Sequence, residues 1–153
     1  MIKYISKVFT EDEDGFNGNC EGYVINTNAE NLPNFLSEYT VNAQNIVNAI
    51  KNIKDEILII KNINVDEEFQ GCGYGGEILS YILNESYCST AILICDTSES
   101  QKEGFILEKF YENNDFKTIY YTNNYPIMVF PTDVAENIKK ILDNVGKNKM
   151  LNP

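Results

Sequence analysis

The sequence contains no histidine and no arginine, and all twelve of its basic residues are lysines. The absence of histidine excludes Ser–His–Asp triads, histidine metal sites and a histidine pH switch. The absence of arginine excludes the planar guanidinium that binds a carboxylate or phosphate with two hydrogen bonds. Any chemistry must therefore use carboxylates, tyrosines, cysteines, serines, lysines and backbone groups.

Long apolar runs are missing as well. No segment approaches the roughly 18 consecutive apolar residues that a membrane-spanning helix needs. The first seven residues, MIKYISK, lack the apolar core of a secretory signal. We therefore expect a cytoplasmic protein with no membrane partner.

The cysteines form no CxxC pair. Cys20, Cys72, Cys88 and Cys95 stand far apart in the sequence, so we predict neither a zinc site nor a redox motif, and no other metal. Cys88 and Cys95 have the surroundings of small buried side chains. Cys72 lies between two glycines, and we expect it to be accessible to solvent.

Positive charge is scarce relative to negative charge. The chain has 12 lysines and 23 acidic residues, which gives a net charge of −11 and an isoelectric point near 4.4. Such a surface repels nucleic acid, because binding there depends on basic side chains that neutralise phosphates. It favours cationic partners such as an amine, a polyamine or a lysine-rich protein.

The chain of 153 residues, 43% of them hydrophobic, is of ordinary size for one domain, and no linker divides it. Apolar periodicity predicts strands at residues 2–9, 22–26, 56–65, 90–95, 116–122 and 127–130. It predicts two helices within 28–53, divided near Thr40, further helices at 75–85, 104–113 and 134–145, and a loop at 10–19. This alternation predicts an α/β or α+β sheet with covering helices, in which strands 56–65 and 90–95 are central.

Residues 70–76, with the sequence QGCGYGG, form a glycine loop between a predicted buried strand and a predicted helix. Clustered glycines let backbone N–H groups approach a ligand closely, and a helix N-terminus favours negative charge. The loop therefore predicts a pyrophosphate site that needs no arginine. The alternative is a glycine-rich turn without a ligand.

Three ligands fit this loop. The spacing of Gly71, Gly73 and Gly76, with Asp96 twenty residues further on, matches the dinucleotide fingerprint. The segment GCGYG also resembles the first motif of S-adenosylmethionine methyltransferases. In both of those folds, however, the strand runs almost directly into the first glycine, whereas DEEFQ intervenes here, and both need more β-α units than follow.

The third interpretation is a family resemblance. Residues 65–75, VDEEFQGCGYG, resemble the signature of the GNAT superfamily of acyl-CoA-dependent N-acyltransferases, with Gln70, Gly73 and Gly75 at its three defining positions. Residues 107–116, LEKFYENNDF, are similar to a second GNAT segment, with Asp115 in place of the usual glycine. The resemblance covers roughly residues 56–131.

The resemblance implies a single GNAT-like domain over residues 1–153, with a cofactor-binding core at 56–131 and a C-terminal helix at 132–153. It implies a mixed, mostly antiparallel sheet with a splayed central parallel strand pair, flanked by helices. It further implies that acetyl-CoA is the cosubstrate. The implied cofactor-binding residues are Ile63, Asn64, Val65, Gln70, Gly71, Cys72, Gly73, Tyr74, Gly75 and Gly76.

The resemblance also implies catalytic roles. Tyr111 matches the family tyrosine whose hydroxyl lies near the CoA sulfur and acts as a general acid or as a stabiliser of the thiolate. Without histidine, a carboxylate acting through water is the best general base; Asp96 is the leading candidate, before Glu99 and Asp66. The predicted function is acetyl transfer to a primary amine, and the alternative is a non-catalytic acyl-CoA-binding module. Whether the chain forms a homodimer is left open.

Overall fold

The computed structural model of the chain describes residues 3–28, 31–38, 40, 42–95, 101–122 and 125–151. The strands are β1 (Lys3–Phe9), β2 (Gly18–Asn26), β3 (Glu56–Val65), β4 (Ala91–Ile94), β5 (Lys117–Tyr121) and β6 (Pro126–Phe130). The helices are α1 (Glu11–Asp14), α2 (Asn31–Ser37), α3 (Ala43–Lys51), α4 (Tyr74–Ser86), α5 (Gln101–Asn113) and α6 (Thr132–Leu151). A 3-10 turn, Glu67–Phe69, precedes the glycine loop.

The predicted order of elements is confirmed except for α1, which was not predicted, and the bounds of β3 coincide with the prediction. Helices α2 and α3 lie on either side of Thr40, as predicted. The second half of the chain follows the predicted alternation of strands and helices. None of the helices among the described residues is long and apolar enough to span a membrane.

The predicted loop at 10–19 is wrong in part. It contains the single-turn helix α1, whose N-cap Thr10 accepts a hydrogen bond from the Glu13 N–H, and whose C-cap Gly15 adopts a φ of 84°. Strand β2 begins at Gly18, four residues earlier than predicted. Local acidic composition favoured a loop, but side-chain capping and cross-strand pairing with β1 decide the structure.

The six strands form one sheet in the order β1-β2-β3-β4-β6-β5. Only β3 and β4 are parallel, and all other neighbours are antiparallel. This is the mixed, mostly antiparallel sheet with one central parallel pair that the resemblance implied. A sheet with a single parallel pair is not the doubly wound sheet that the dinucleotide and S-adenosylmethionine interpretations require.

Side chains of alternate residues divide the core into one cluster on each face of the sheet. Leu58 and Ile60 of β3 pack under α4 in the first cluster, which also includes Tyr111. Ile57 and Ile59 of the same strand pack in the second cluster, against α2, α3 and α6. All four side chains are buried. Strand β3 is therefore central, as its unbroken apolar run predicted.

Candidate functional site

Strands β3 and β4 separate after a short parallel pairing. Their register runs from Leu58 opposite Ala91 to Ile60 opposite Leu93, and β3 then continues to Val65. Among the described residues, positions 61–65 of β3 pair only with β2. We call this part of the sheet the divergent end, and residues 56–60 the paired end.

A β-bulge stands where the two strands separate. Glu21 of β2 pairs with Asn62 and its neighbour Gly22 pairs with Ile60, so Lys61 is an extra residue in β3. An extra residue bends the strand and increases its twist. It also shifts the side-chain alternation, so that Ile63 and Val65 join the cluster under α4. The bulge thus gives a local cause for the divergence.

Backbone groups with no neighbouring strand line the open side of β3 at the divergent end, as far as the described residues show. The Asp66 N–H donates to the Asn17 carbonyl oxygen on the β2 side at 3.0 Å. Because successive N–H groups of a strand alternate in direction, those of Ile63 and Val65 point to the open side, and that of Asn64 points to β2. The Gln70 side chain donates to the Val65 carbonyl oxygen at 3.0 Å. Of the three predicted strand residues, Ile63 and Val65 have the geometry to bind a ligand through backbone groups, and Asn64 does not.

The glycine loop connects the divergent end to α4. Gly71 and Gly73 have φ values of +82° and +87°, which side chains other than hydrogen rarely allow, and the space beside both is open to 4 Å. Among the described residues, the N–H groups of 71–73 donate to no backbone oxygen. Those of residues 74–76 begin a helix and have no partner within it. Several donors therefore face open space at a helix N-terminus, which suits a phosphate group.

Aromatic rings fix the position of the loop. Tyr74 stacks on Phe16 with ring centroids 4.3 Å apart and meets Phe69 edge to face at 6.1 Å. Phe16 in turn stacks on Phe9 of β1 at 5.2 Å. Tyr74, predicted as a ligand-binding residue, therefore has a clear packing role, and its stack places the acidic helix α1 beside the loop.

Gly75 has a different role from Gly71 and Gly73. A Cβ on Gly75 would approach the Phe110 ring to 3.1 Å, so this glycine lets α5 pack closely against the start of α4. A Cβ on Gly76 would meet the Asn114 Oδ1 at an ordinary 3.7 Å. Gly75 therefore has a packing role at the start of α4.

Two glycines that the sequence did not single out place α4 on the sheet. A Cβ at Gly18 would lie 2.5 Å from the Asn64 carbonyl oxygen, and one at Gly22 would lie 2.6 Å from the Ile59 carbonyl oxygen. Ile78 and Ile82 of α4 lie over the same two positions. In the sequence, the only sign of this role is that the two glycines are four residues apart in β2. That spacing can be interpreted only when the position of α4 is known.

Tyr111 is buried on the α4 face of the sheet, with 6% of its surface exposed. Its ring contacts Phe110 and Phe116 at centroid distances of 5.1 and 5.5 Å. Burial first, and the neighbouring Cys95 second, raise the pKa of Tyr111 well above its ordinary value. The hydroxyl therefore stays protonated at neutral pH. It lies near Cys95, the residue that directly follows β4. Such a hydroxyl group can donate a hydrogen bond to a negatively charged atom.

Asp115 adopts a φ of 69° at the position where the GNAT segment has glycine. Its N–H donates to the Glu112 carbonyl oxygen at 3.3 Å, so it ends α5. Asp is one of the few residues that enter this conformation at moderate cost. The replacement therefore preserves the turn that follows Tyr111.

The leading base candidate, Asp96, and the weaker candidate Glu99 lie outside the described residues. Asp66 is exposed at the end of β3, where it has the character of a solvated loop acid. Cys72 is exposed within the glycine loop. The described residues contain no group of three or more acidic, cysteine or histidine side chains that could hold a metal ion.

Both sequence motifs thus meet at the divergent end of one mixed sheet, with the glycine loop at the end of β3 and Tyr111 beside the end of β4. The arrangement agrees with the mixed sheet that the GNAT resemblance implied. No protein-family model matches the sequence, and no curated protein is similar enough to match it.

Solved structures with a similar architecture include NAA60 of Arabidopsis thaliana in complex with acetyl-CoA. It is 11% identical, with a TM-score of 0.46 over 82% of this chain and 73% of that chain. A bacterial toxin is 14% identical, with a TM-score of 0.47 over 92% and 71%. A mutant AtaT toxin bound to the C-terminus of the antitoxin AtaR and acetyl-CoA is 12% identical, with a TM-score of 0.43 over 87% and 96%. At these values the likeness concerns general architecture.

Proposed function

We propose that this protein is a cytoplasmic N-acetyltransferase that transfers an acetyl group from acetyl-CoA to a primary amine by direct attack in a ternary complex. The observation that supports this most directly is the separation of β3 from β4 beside a glycine loop with unused N–H donors. Acetyl-CoA would supply the activated thioester. The amine acceptor is a small cation or a protein lysine or N-terminus, in keeping with the net charge of −11.

The residues present fit this cosubstrate. Backbone N–H groups of the glycine loop would bind the pyrophosphate, since no arginine exists to do so. The open side of β3, at Ile63 and Val65, would bind the amide groups of the pantetheine arm as an added strand does. A backbone N–H there would also stabilise the developing negative charge on the thioester oxygen.

Tyr111 would donate a hydrogen bond to the departing thiolate. Because burial raises its pKa, the hydroxyl is a weak acid that keeps its proton, so it would stabilise the negative charge on sulfur as a donor. The proton of the attacking amine would leave through a carboxylate, for which Asp96 remains the proposed residue. The amine nitrogen then bonds to the acetyl carbon as the carbon–sulfur bond breaks.

Two measurements on the purified protein test the proposal. Titration calorimetry with acetyl-CoA, S-adenosylmethionine and NAD should show binding of acetyl-CoA alone. Thiol release with spermidine, an aminoglycoside and a lysine-containing peptide should then show turnover with at least one amine. Binding without turnover on any amine would leave the non-catalytic module as the function. Binding of S-adenosylmethionine or NAD instead would contradict the assignment of the loop.

A further inference from the structure

The face of the sheet opposite α4 is uncovered at the divergent end, as far as the described residues show. Val8 of β1, level with Asn64, is 70% exposed, and Asn62 and Asn64 of β3 are exposed on the other side of β2. Tyr4 of β1, level with Ile59, is 56% exposed. Helices α2 and α3 pack only against the paired end of this face, where Ile57 is buried. A molecule approaching the gap between β3 and β4 from this side would first meet the uncovered face.

One organised group of polar side chains lies on this face. The Tyr4 hydroxyl donates to the Glu21 Oε2 at 2.6 Å, while the Lys61 Nζ lies 3.6 Å from the other oxygen, Oε1. Tyr4 and Tyr23 contact each other with ring centroids 6.1 Å apart. The Lys61 Nζ also lies 6.0 Å from the centre of the Tyr23 ring. A carboxylate held by one neighbour and flanked by two aromatic rings is a general arrangement for binding an organic cation.

This group lies at the point where the strands separate. Lys61 is the extra residue of the bulge, and Glu21 pairs with Asn62 immediately beyond it. Neighbouring strands are about 4.8 Å apart, so Glu21 is one strand removed from the open side of β3. Tyr111 lies on the opposite face of the sheet. Tyr111, which would contact the departing thiol, and the polar group around Glu21 thus lie on opposite faces of the sheet.

The contacts of Lys61 show which kind of ligand this cluster of side chains can bind. The Lys61 Nζ is a primary alkylammonium, the chemical class of acceptor that the proposed reaction uses. The pair is weak, because the side chains of Lys61 and Glu21 are 52% and 29% exposed and solvent screens the attraction between exposed charges. A substrate ammonium can therefore displace it at little cost.

We propose that Tyr4, Glu21 and Tyr23 form the subsite that binds the ammonium group of the acceptor, and that Lys61 occupies this subsite until an acceptor arrives. The inference rests on the proposed function and adds the place and chemistry of acceptor binding. Glu21 supplies the charge, Tyr4 holds it in position, and Tyr23 provides the aromatic wall. Lys61 acts as an internal competitor.

The test has a readout that does not need turnover. Pentylammonium, which has the length of a lysine side chain, is titrated into the protein without acetyl-CoA, and binding is followed by amide NMR shifts in β2 and β3. The Glu21→Gln variant should bind it about 10-fold more weakly, because it loses a charged hydrogen-bond acceptor. Tyr4→Phe should weaken binding by a smaller factor. Lys61→Met should bind about two- to fivefold more tightly, because the competing surface pair is removed.

A second surface pair provides matched controls. Lys117 and Glu136 form an ion pair at 3.1 Å outside the site, so Lys117→Met and Glu136→Gln make the same charge changes and should leave binding unaltered. Equal binding by parent and Glu21→Gln would overturn the subsite, and so would the absence of shifts in the parent. Weaker or unchanged binding by Lys61→Met would overturn the competition. Each variant is also titrated with acetyl-CoA. Normal acetyl-CoA binding together with altered pentylammonium binding concerns the subsite alone, whereas failure of the parent to bind acetyl-CoA would contradict the proposed function.

Discussion

The two halves of β3 differ in almost every respect, although they belong to one continuous strand. At the paired end, β3 has a neighbour on both sides, and four consecutive apolar side chains are buried from Ile57 to Ile60. At the divergent end it keeps one neighbour within the described part of the chain, and exposed Asn62 and Asn64 alternate with partly buried side chains. Stability is therefore concentrated in one half, and groups free to bind a ligand are concentrated in the other.

The largest expected effect tests the stability side of this comparison. Replacing Ile59, which is fully buried at the paired end, by alanine should lower the free energy of unfolding by about 2–5 kcal/mol, because a cavity remains in the core. Asn62→Ala, three residues further on, should change it by less than about 0.5 kcal/mol. Urea unfolding followed by circular dichroism measures both. Similar losses in the two variants would show that stability is not divided along the strand.

The next prediction concerns the glycine loop. Gly73→Val should lower acetyl-CoA affinity by about 100-fold or more, since the side chain displaces phosphate from several N–H donors. Gly15→Val is the control, because Gly15 has nearly the same φ, 84° against 87°, and equally open surroundings. Both variants should lose similar stability from backbone strain, but only Gly73→Val should lose affinity. Calorimetric titration that finds the two variants equally affected would assign the loss to strain.

Replacement of Tyr111 tests the chemistry at the end of β4. Tyr111→Phe should lower kcat by about 10- to 1,000-fold, the effect of losing one general acid or one oxyanion donor. Acetyl-CoA affinity should change little, because the ring still packs. Steady-state thiol release with a good amine gives both values, and an unchanged kcat would remove Tyr111 from the mechanism.

The same substitution should alter stability at high pH. Burial raises the pKa of Tyr111 above its ordinary value of 10.0, so above about pH 10 the unfolded chain loses this proton before the folded chain does. The free energy of unfolding should therefore fall as the pH rises past 10, and less steeply in Tyr111→Phe. Below pH 9 the two slopes should coincide. Chemical denaturation between pH 8 and 11 makes the comparison.

A smaller effect is expected from salt. If the acceptor is cationic and the net charge of −11 attracts it, kcat/KM for a polyamine should fall several-fold as ionic strength rises, because fields are screened within about 8 Å at physiological salt. Acetyl-CoA is an anion, so its own kcat/KM should not fall. A flat profile for the polyamine would point to an acceptor captured without electrostatic attraction.

The smallest effect is expected where α4 ends, away from the glycine loop. Tyr87 has a φ of 56° and is 90% exposed, so its ring contributes little packing to offset the backbone cost. Tyr87→Gly should raise the free energy of unfolding by about 1 kcal/mol without changing acetyl-CoA affinity. Loss of stability would mean that the contact of the Lys3 Nζ with the Tyr87 ring, at 5.0 Å, outweighs the strain.

Sequence pattern was sufficient for features that depend on neighbouring residues. The apolar run of β3 and the division of α2 from α3 near Thr40 both follow from local spacing. The glycine loop was also found in this way, since positive φ at Gly71 and Gly73 is a local backbone requirement. The helix α1 was missed because its acidic residues have no apolar period, and capping at Thr10 and Gly15 stabilises it.

Tertiary structure decided what depends on residues far apart in the sequence. The bulge at Lys61 exists only in relation to β2, and it ends the pairing of β3 with β4. Position 75 needs a glycine because the Phe110 ring packs against it. Glu21 of β2 contacts Lys61 of the adjacent strand β3. No periodicity encodes such contacts, because register and helix packing are set by the fit of whole surfaces. Local composition determined the elements and the loop, whereas cross-strand register determined where the sheet separates and which side chains meet there.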